Sequence, residues 1–228
     1  MNEERLRRLL IGGGAMILLG FALSPFVWML WVSFASRPDF LVTVSVDYTV
    51  GNYIDVLTSE SLHFPDYFKN SLIVATTTAL AVTVIACFAA YAVSRLRFPG
   101  RITIPLAILA MSMFPQISIV GYLYRMFSGL GWLNTYLALI FPYIAWTVPL
   151  ALWINMSYFT QIPLDLDKAA LVDGAGRART LIKIVLPIAL PGVFSSFLLV
   201  FIQCFNEFLF AIMLTIDYHA QTLPVGIA

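Results

Sequence analysis

Two polar clusters interrupt an otherwise apolar chain, and their spacing decides what each can do. The first lies within residues 163–183. Pro163 can open a helix, because its missing N–H is one of the donors that a first turn leaves unpaired anyway. Asp165 and Asp167 then fall near the positive end of that helix's dipole, with Lys168 beside them. Leu166, Ala169, Ala170 and Asp173 recur at i, i+3, i+4 and i+7, so two small residues and one acid share a stripe. Small side chains permit close docking. Gly174 or Gly176 can end the helix in a left-handed cap and turn the chain sharply. The plainer alternative is a helical connector whose small residues serve only packing.

The second cluster is Gln203, Asn206 and Glu207, again at i, i+3 and i+4 and therefore on one helical face. A carboxylate near the centre of a membrane helix costs about 2.5–3.5 kcal/mol on insertion scales, so it normally faces protein or water. The face can point into a hydrophilic passage, or Glu207 can lie near the helix end and meet interfacial water. As a passage-lining acid, Glu207 also admits a proton-coupled secondary transporter.

Other chemistries lack their residues. The chain has no Gly-Lys-Ser/Thr phosphate loop, no His-Glu-x-x-His zinc pair and no Gly-x-Ser-x-Gly elbow. Cys87 and Cys204 sit far apart in apolar runs and read as small buried hydrophobes. His63 and His219 fall in segments expected at the surface. Thirteen Lys and Arg against twelve Asp and Glu give a net charge of +1, which provides no field for nucleic acid.

The elements that must position these clusters are membrane helices. Of 228 residues, 61% are hydrophobic and 11% charged, against about 25% charged in soluble domains. Residues 9–32 contain no ionisable group and are long enough to cross a hydrocarbon layer of about 30 Å. The run is too long for a signal peptide and should stay attached. Residues 71–93, 102–124, 136–159 and 184–209 repeat the pattern. Such runs lack the polar alternation of barrel strands, so the expected fold is an all-α, polytopic transmembrane bundle forming one domain over residues 1–228.

Positive charge sets the expected orientation. Arg5, Arg7, Arg8, Arg95, Arg97, Arg101, Lys168, Arg177, Arg179 and Lys183 fall on one side, and Arg37, Lys69 and Arg125 on the other. The N-terminus and residues 163–183 should therefore face the cytoplasm. Residues 34–66, acidic through Asp39, Asp47, Asp55, Glu60 and Asp66, should face outward. Five spans leave residues 215–228 outside, so either a sixth span is expected but missing here or the protein ends in an unusual topology. Pro105, Pro115, Pro142 and Pro149 can break the third and fourth spans to line a pathway, or can reflect the general tolerance of membrane helices for proline. Gly129, Gly131 and Asn134 mark a short outer turn, with Trp132 expected at the interface.

The first cluster resembles the cytoplasmic signature of permease subunits from bacterial ABC importers. That signature runs Glu-Ala-Ala, three residues, Gly, nine residues, Ile, one residue, Leu-Pro. Ala169 and Ala170, Gly174, and Ile184, Leu186 and Pro187 match it, while Lys168 stands where the family prefers Glu. Asp165 or Asp167 lies near enough to replace that charge. Asn52 and Tyr53, and residues 68–72, 91–101 and 130–136, resemble the carbohydrate-type branch and its maltose-permease-like second subunit.

The resemblance implies a bacterial inner-membrane, multi-pass permease that is not itself an enzyme, with six core spans, an N-terminus in the cytoplasm, and no cofactor or metal of its own. It implies that residues 165–174, with Asp165, Asp167, Lys168, Ala169, Ala170, Asp173 and Gly174, dock into an ABC ATPase dimer that binds the ATP. It further implies a second permease subunit, and an extracytoplasmic solute-binding protein that delivers sugar to a mouth formed partly by residues 34–66. Gln203, Asn206 and Glu207 are the candidates for the substrate pathway.

Overall fold

The computed structural model describes residues 3–36 and 47–228; Arg37 and Asp39 of the expected outer segment lie outside them. The chain divides into two compact units, residues 1–62 and 63–228.

The first unit is built on α1 (Glu3–Ser33), which carries Pro25 inside it. Proline removes the N–H that would have bonded the Phe21 carbonyl, and the Ser24 hydroxyl donates to that carbonyl instead at 2.9 Å. The end of α1 is closed by α2 (Gly51–Thr58). Asn52 Nδ2 donates to the carbonyls of Ser33 and Ala35 at 3.0 and 2.9 Å, satisfying acceptors that a helix end leaves open. Among the described residues, one antiparallel bridge pairs Ala35 with Tyr48.

The second unit is built on α3 (Phe64–Arg95), α6 (Tyr136–Gln161) and α9 (Leu186–Phe205), which pack on one another. On α3, Ala75, Ala79, Val82, Ala86 and Ala90 form a fully buried stripe of small residues. Such residues let helix backbones approach where lipid supplies no hydrophobic drive. Gly192 of α9 does the same against α6: a Cβ there would overlap the Tyr158 ring. Between the same helices, Asn155 Nδ2 donates to Ser196 Oγ at 3.1 Å, with both side chains fully buried.

Among the described residues, four helices are long and apolar enough to cross a membrane, or five if one bent pair counts as a span. That pair lies where a span is expected over residues 102–124, with Pro105 and Pro115 as its candidate breakers. It consists of α4 (Thr103–Ser112) and α5 (Gln116–Leu130), bent by 87°. The cause is Pro115, which is extended at φ −64°, ψ 128° and disfavours helix in the preceding Phe114. At about 15 and 22 Å, neither piece crosses the hydrocarbon alone. Gly131 then ends α5 in the left-handed region at φ 68°, and Asn134 takes φ 60° in the turn that follows. Trp132 is stacked on Phe127 and Phe141, with ring centroids 5.9 and 5.4 Å away.

After α6 come α7 (Leu164–Val172), α8 (Arg177–Thr180) and a π-helical turn, Leu181–Val185, which runs directly into α9. In that turn the Leu186 N–H reaches back five residues to the Leu181 carbonyl. The wider turn lies immediately before Pro187, which has no N–H to offer an ordinary α-turn. Beyond α9 the chain breaks and re-forms as α10 (Leu209–Leu214) and α11 (Leu223–Gly226).

Candidate functional site

The helix α7 is defined at both ends by its sequence. Pro163 is its extended N-cap, and Asp165 and Asp167 occupy the first turn. At the other end the Ala175 N–H donates to the Ala170 carbonyl at 2.9 Å, and the Gly174 N–H to the Leu171 carbonyl at 3.1 Å. This is a Schellman cap, and it requires the left-handed residue that Gly174 supplies at φ 78°.

The two faces of α7 differ. Ala170 and Asp167 turn inward, 4% and 9% exposed, whereas Val172 is 87% exposed and Leu166, Ala169, Leu171 and Asp173 are exposed with it. The stripe expected to run through Leu166, Ala169, Ala170 and Asp173 is therefore divided, with only Ala170 packed inward. Asp165 and Lys168 form an exposed ion pair at 2.8 Å. The ammonium holds the Asp165 carboxyl below its ordinary range, first by its hydrogen bond and then by its charge. Asp167 does not share that surface. Its Oδ1 accepts a hydrogen bond from Tyr91 Oη at 3.2 Å, and its Oδ2 lies 3.5 Å from Arg95 Nε.

The second cluster is rearranged. The helix expected to continue to residue 209 stops at Phe205, and Asn206 is its C-cap. Glu207 lies in the break, where its carboxylate accepts from the N–H groups of Phe210 and Ala211 at 2.9 and 3.3 Å and from Tyr143 Oη at 2.7 Å. The break has a physical reason. A carboxylate within an apolar helix needs donors, and the open N–H groups of a new helix, α10, provide them.

Gln203, Asn206 and Glu207 nevertheless line one cavity of about 390 Å³, together with Trp146 and Gln116. Gln116 was not among the sequence candidates. It arrives because Pro115 starts α5 beside the break after α9, so the two interruptions meet at the same cavity. The proline is the only local sign of this. Gln203 Oε1 is buried there without a hydrogen-bond partner.

At the far end of α6 a polar knot joins the turn after α5 to residues 215–221. Asn134 Nδ2 donates to Asp217 Oδ1 at 2.9 Å, and Asn134 Oδ1 accepts from the Ile216 N–H at 2.9 Å. The Asn134 amide foremost, and then the His219 N–H at 3.0 Å, hold the Asp217 carboxyl below its ordinary range. His63 and His219 lie at this end, His63 stacked on Tyr218 with centroids 3.8 Å apart and His219 paired with Asp217 at 3.0 Å. Cys87 and Cys204 are buried free thiols.

Residues 82–222 match the family described as binding-protein-dependent transport system inner membrane component. The chain is 54% identical to the trehalose/maltose transport system permease protein MalG of Thermococcus litoralis, over 100% of this chain and 83% of that protein. It is 35% identical to the trehalose transport system permease protein SugB of Mycobacterium tuberculosis, covering 93% and 77%. It is 33% identical to the inner membrane ABC transporter permease protein YcjP of Escherichia coli, covering 99% and 82%. A crystal structure of a bacterial ABC transporter for import of the acidic polysaccharide alginate contains a chain that superposes with a TM-score of 0.79. That alignment covers 100% of this chain and 80% of that one at 21% identity, a likeness of fold.

Proposed function

We propose, from the premise that this chain belongs to the family of binding-protein-dependent transport system inner membrane components, that α7 is the handle by which a separate ATPase moves the bundle and that the solute is a sugar. The chain is a multi-pass permease subunit of an ABC importer. The observation that carries the role of α7 is its two-faced construction. One face is packed inward through Ala170 and Asp167, and the other presents Leu166, Ala169, Leu171 and Val172 uncovered. Asp165, Lys168, Asp173 and Gly174 complete the outward surface and its end.

A helix so mounted biases the bundle between two arrangements when its partner closes on ATP, and only a partner that binds the two arrangements unequally can do so. The ATP belongs to that ATPase pair. A second permease subunit completes the pathway, and an external solute-binding protein feeds it. The balance of basic residues supports α7 and the N-terminus on the cytoplasmic face.

The sugar reading is supported by the names of two relatives and by the chemistry of the cavity. Trp146 offers an apolar ring, while Gln116, Gln203 and Asn206 offer amides that both donate and accept, which suits a solute bearing many hydroxyls. Glu207 is committed to α10 and Tyr143, a structural duty that tells against a proton-carrying role.

The test is cysteine substitution at Val172 in membranes containing the assembled importer. Cross-linking to the ATPase, together with uptake of labelled trehalose or maltose that stops on ATP depletion, supports the reading. Labelling of that cysteine from outside, or uptake that survives ATP depletion and collapses with the proton gradient, overturns it.

A further inference from the structure

We infer that Asp167 and Arg95 form a buried pin that makes α7 move as one body with the ends of α3 and α6, so that Asp167 positions the handle rather than touching the ATPase. The inference rests on the reading of α7 as that handle. By sequence, Asp167 is indistinguishable from its neighbours Asp165 and Lys168. In the fold, the Asp165 and Lys168 side chains are 85% and 73% exposed, and that of Asp167 only 12%.

Arg95 is the last residue of α3, and its side chain is 4% exposed. Its Nη2 donates to the carbonyl of Ile162, the C-cap of α6, at 2.9 Å. Its Nε has no hydrogen-bond partner and faces Asp167 Oδ2, which has none either, across 3.5 Å. Tyr91, one turn earlier on α3, donates to the other oxygen of the same carboxylate. One guanidinium therefore touches α6 and α7 while rooted in α3. Pulling α7 away would leave a charge buried without its counterpart, the costliest way to break such a pair. The opposite end of α7 leads into α8 through Gly174, Ala175 and Gly176, none of which has a polar side chain. A displacement of the handle is therefore delivered to α3 and α6 through this pair, beside the direct packing of α7 on α8 and the π-helical turn.

The test uses the importer assembled with its ATPase, second permease subunit and binding protein in proteoliposomes, with labelled maltose and trehalose as probes. Asp167→Asn and Arg95→Gln should leave ATPase association unchanged and lower sugar moved per ATP hydrolysed by between about twofold and thirtyfold, the range for residues that carry coupling without contacting ligand. Exchanging the charges, Asp167→Arg with Arg95→Asp, should recover part of that loss but not all of it, because a carboxylate at position 95 cannot donate to the Ile162 carbonyl.

Unchanged transport per ATP in the single variants overturns the inference. So does weakened ATPase association that the exchange fails to restore, which would make Asp167 a partner contact. Val172→Asp separates the two readings: if it leaves association and coupling intact, α7 is not the handle at all. Should the Asp167 variants fail to accumulate in membranes, spin labels at Arg97 and Val172 in the otherwise unaltered protein decide the matter. A separation constant to within about 2 Å with and without ATP supports the pin, and a change approaching one helical turn, about 5 Å, overturns it.

Discussion

Glu207, in the break after α9, accepts a hydrogen bond from Tyr143 of α6 at 2.7 Å while the same carboxylate caps α10. One acid thus ends one helix, begins another and ties both to a third. Its removal should be felt as lost stability. Glu207→Ala should cost about 1–2 kcal/mol, and Tyr143→Phe about 1.5 kcal/mol, by denaturant unfolding in mild detergent. The double variant should lose less than the sum, because each change removes the same bond. Glu207→Gln should leave the pH dependence of sugar uptake where it is; a shifted profile would restore the proton-coupled alternative.

Gly174 holds φ 78° in the cap of α7. Gly174→Val should cost about 1–2 kcal/mol locally, since a branched side chain resists that backbone. It should abolish substrate-stimulated ATP hydrolysis by the assembled importer while membrane insertion persists. Gly174→Asn, which tolerates the left-handed region, should retain much of the activity. Equal activity in all three proteins would remove the cap from the argument.

Lys168→Glu should be tolerated. It breaks an exposed, solvent-screened ion pair with Asp165 and supplies the Glu that the family signature prefers at this position. ATPase activity and transport close to those of the parent would agree, and loss of ATPase association would not.

Asp217 gives a pH signature. Its carboxyl is held below its ordinary value of 3.8, chiefly by the Asn134 amide. A lowered folded-state value stabilises the fold above the ordinary one, and that contribution disappears as pH falls through the lowered one. The melting-temperature gap between the parent and Asn134→Gly should therefore be wider at pH 6 than at pH 3, narrowing without closing because the bonds from the Ile216 and Asp217 N–H groups to Asn134 Oδ1 do not titrate. A gap that widens on acidification would show the sign to be wrong.

Gly192 faces the Tyr158 ring with no room for a Cβ. Gly192→Val should destabilise the α6–α9 contact by about 1–3 kcal/mol. Tyr158→Ala should relieve part of that cost when combined with it. Absence of relief would place the clash elsewhere.

The apolar runs made the spans legible, because length and hydrophobicity alone decide what can cross hydrocarbon. Both ends of α7 were legible for the same local reason: Pro163 and Gly174 act on their own turns. What escaped depends on partners distant in the chain. Nothing near Asp167 marks it for Arg95, and nothing near Glu207 announces Tyr143, so the inward turn of one and the helix break at the other needed the fold. Pro115 advertised an interruption, but not the 87° bend or the cavity that Gln116 enters through it.

The bond from Asn155 to Ser196 lies in a dry seam where neither side chain meets water. Sliding α6 along α9 by one turn would carry the amide past its hydroxyl and leave it only the Ala151 carbonyl of its own helix. Tilting about that point keeps the two together. The seam therefore resists a slide of one helix along the other more than it resists a tilt of the two about that point.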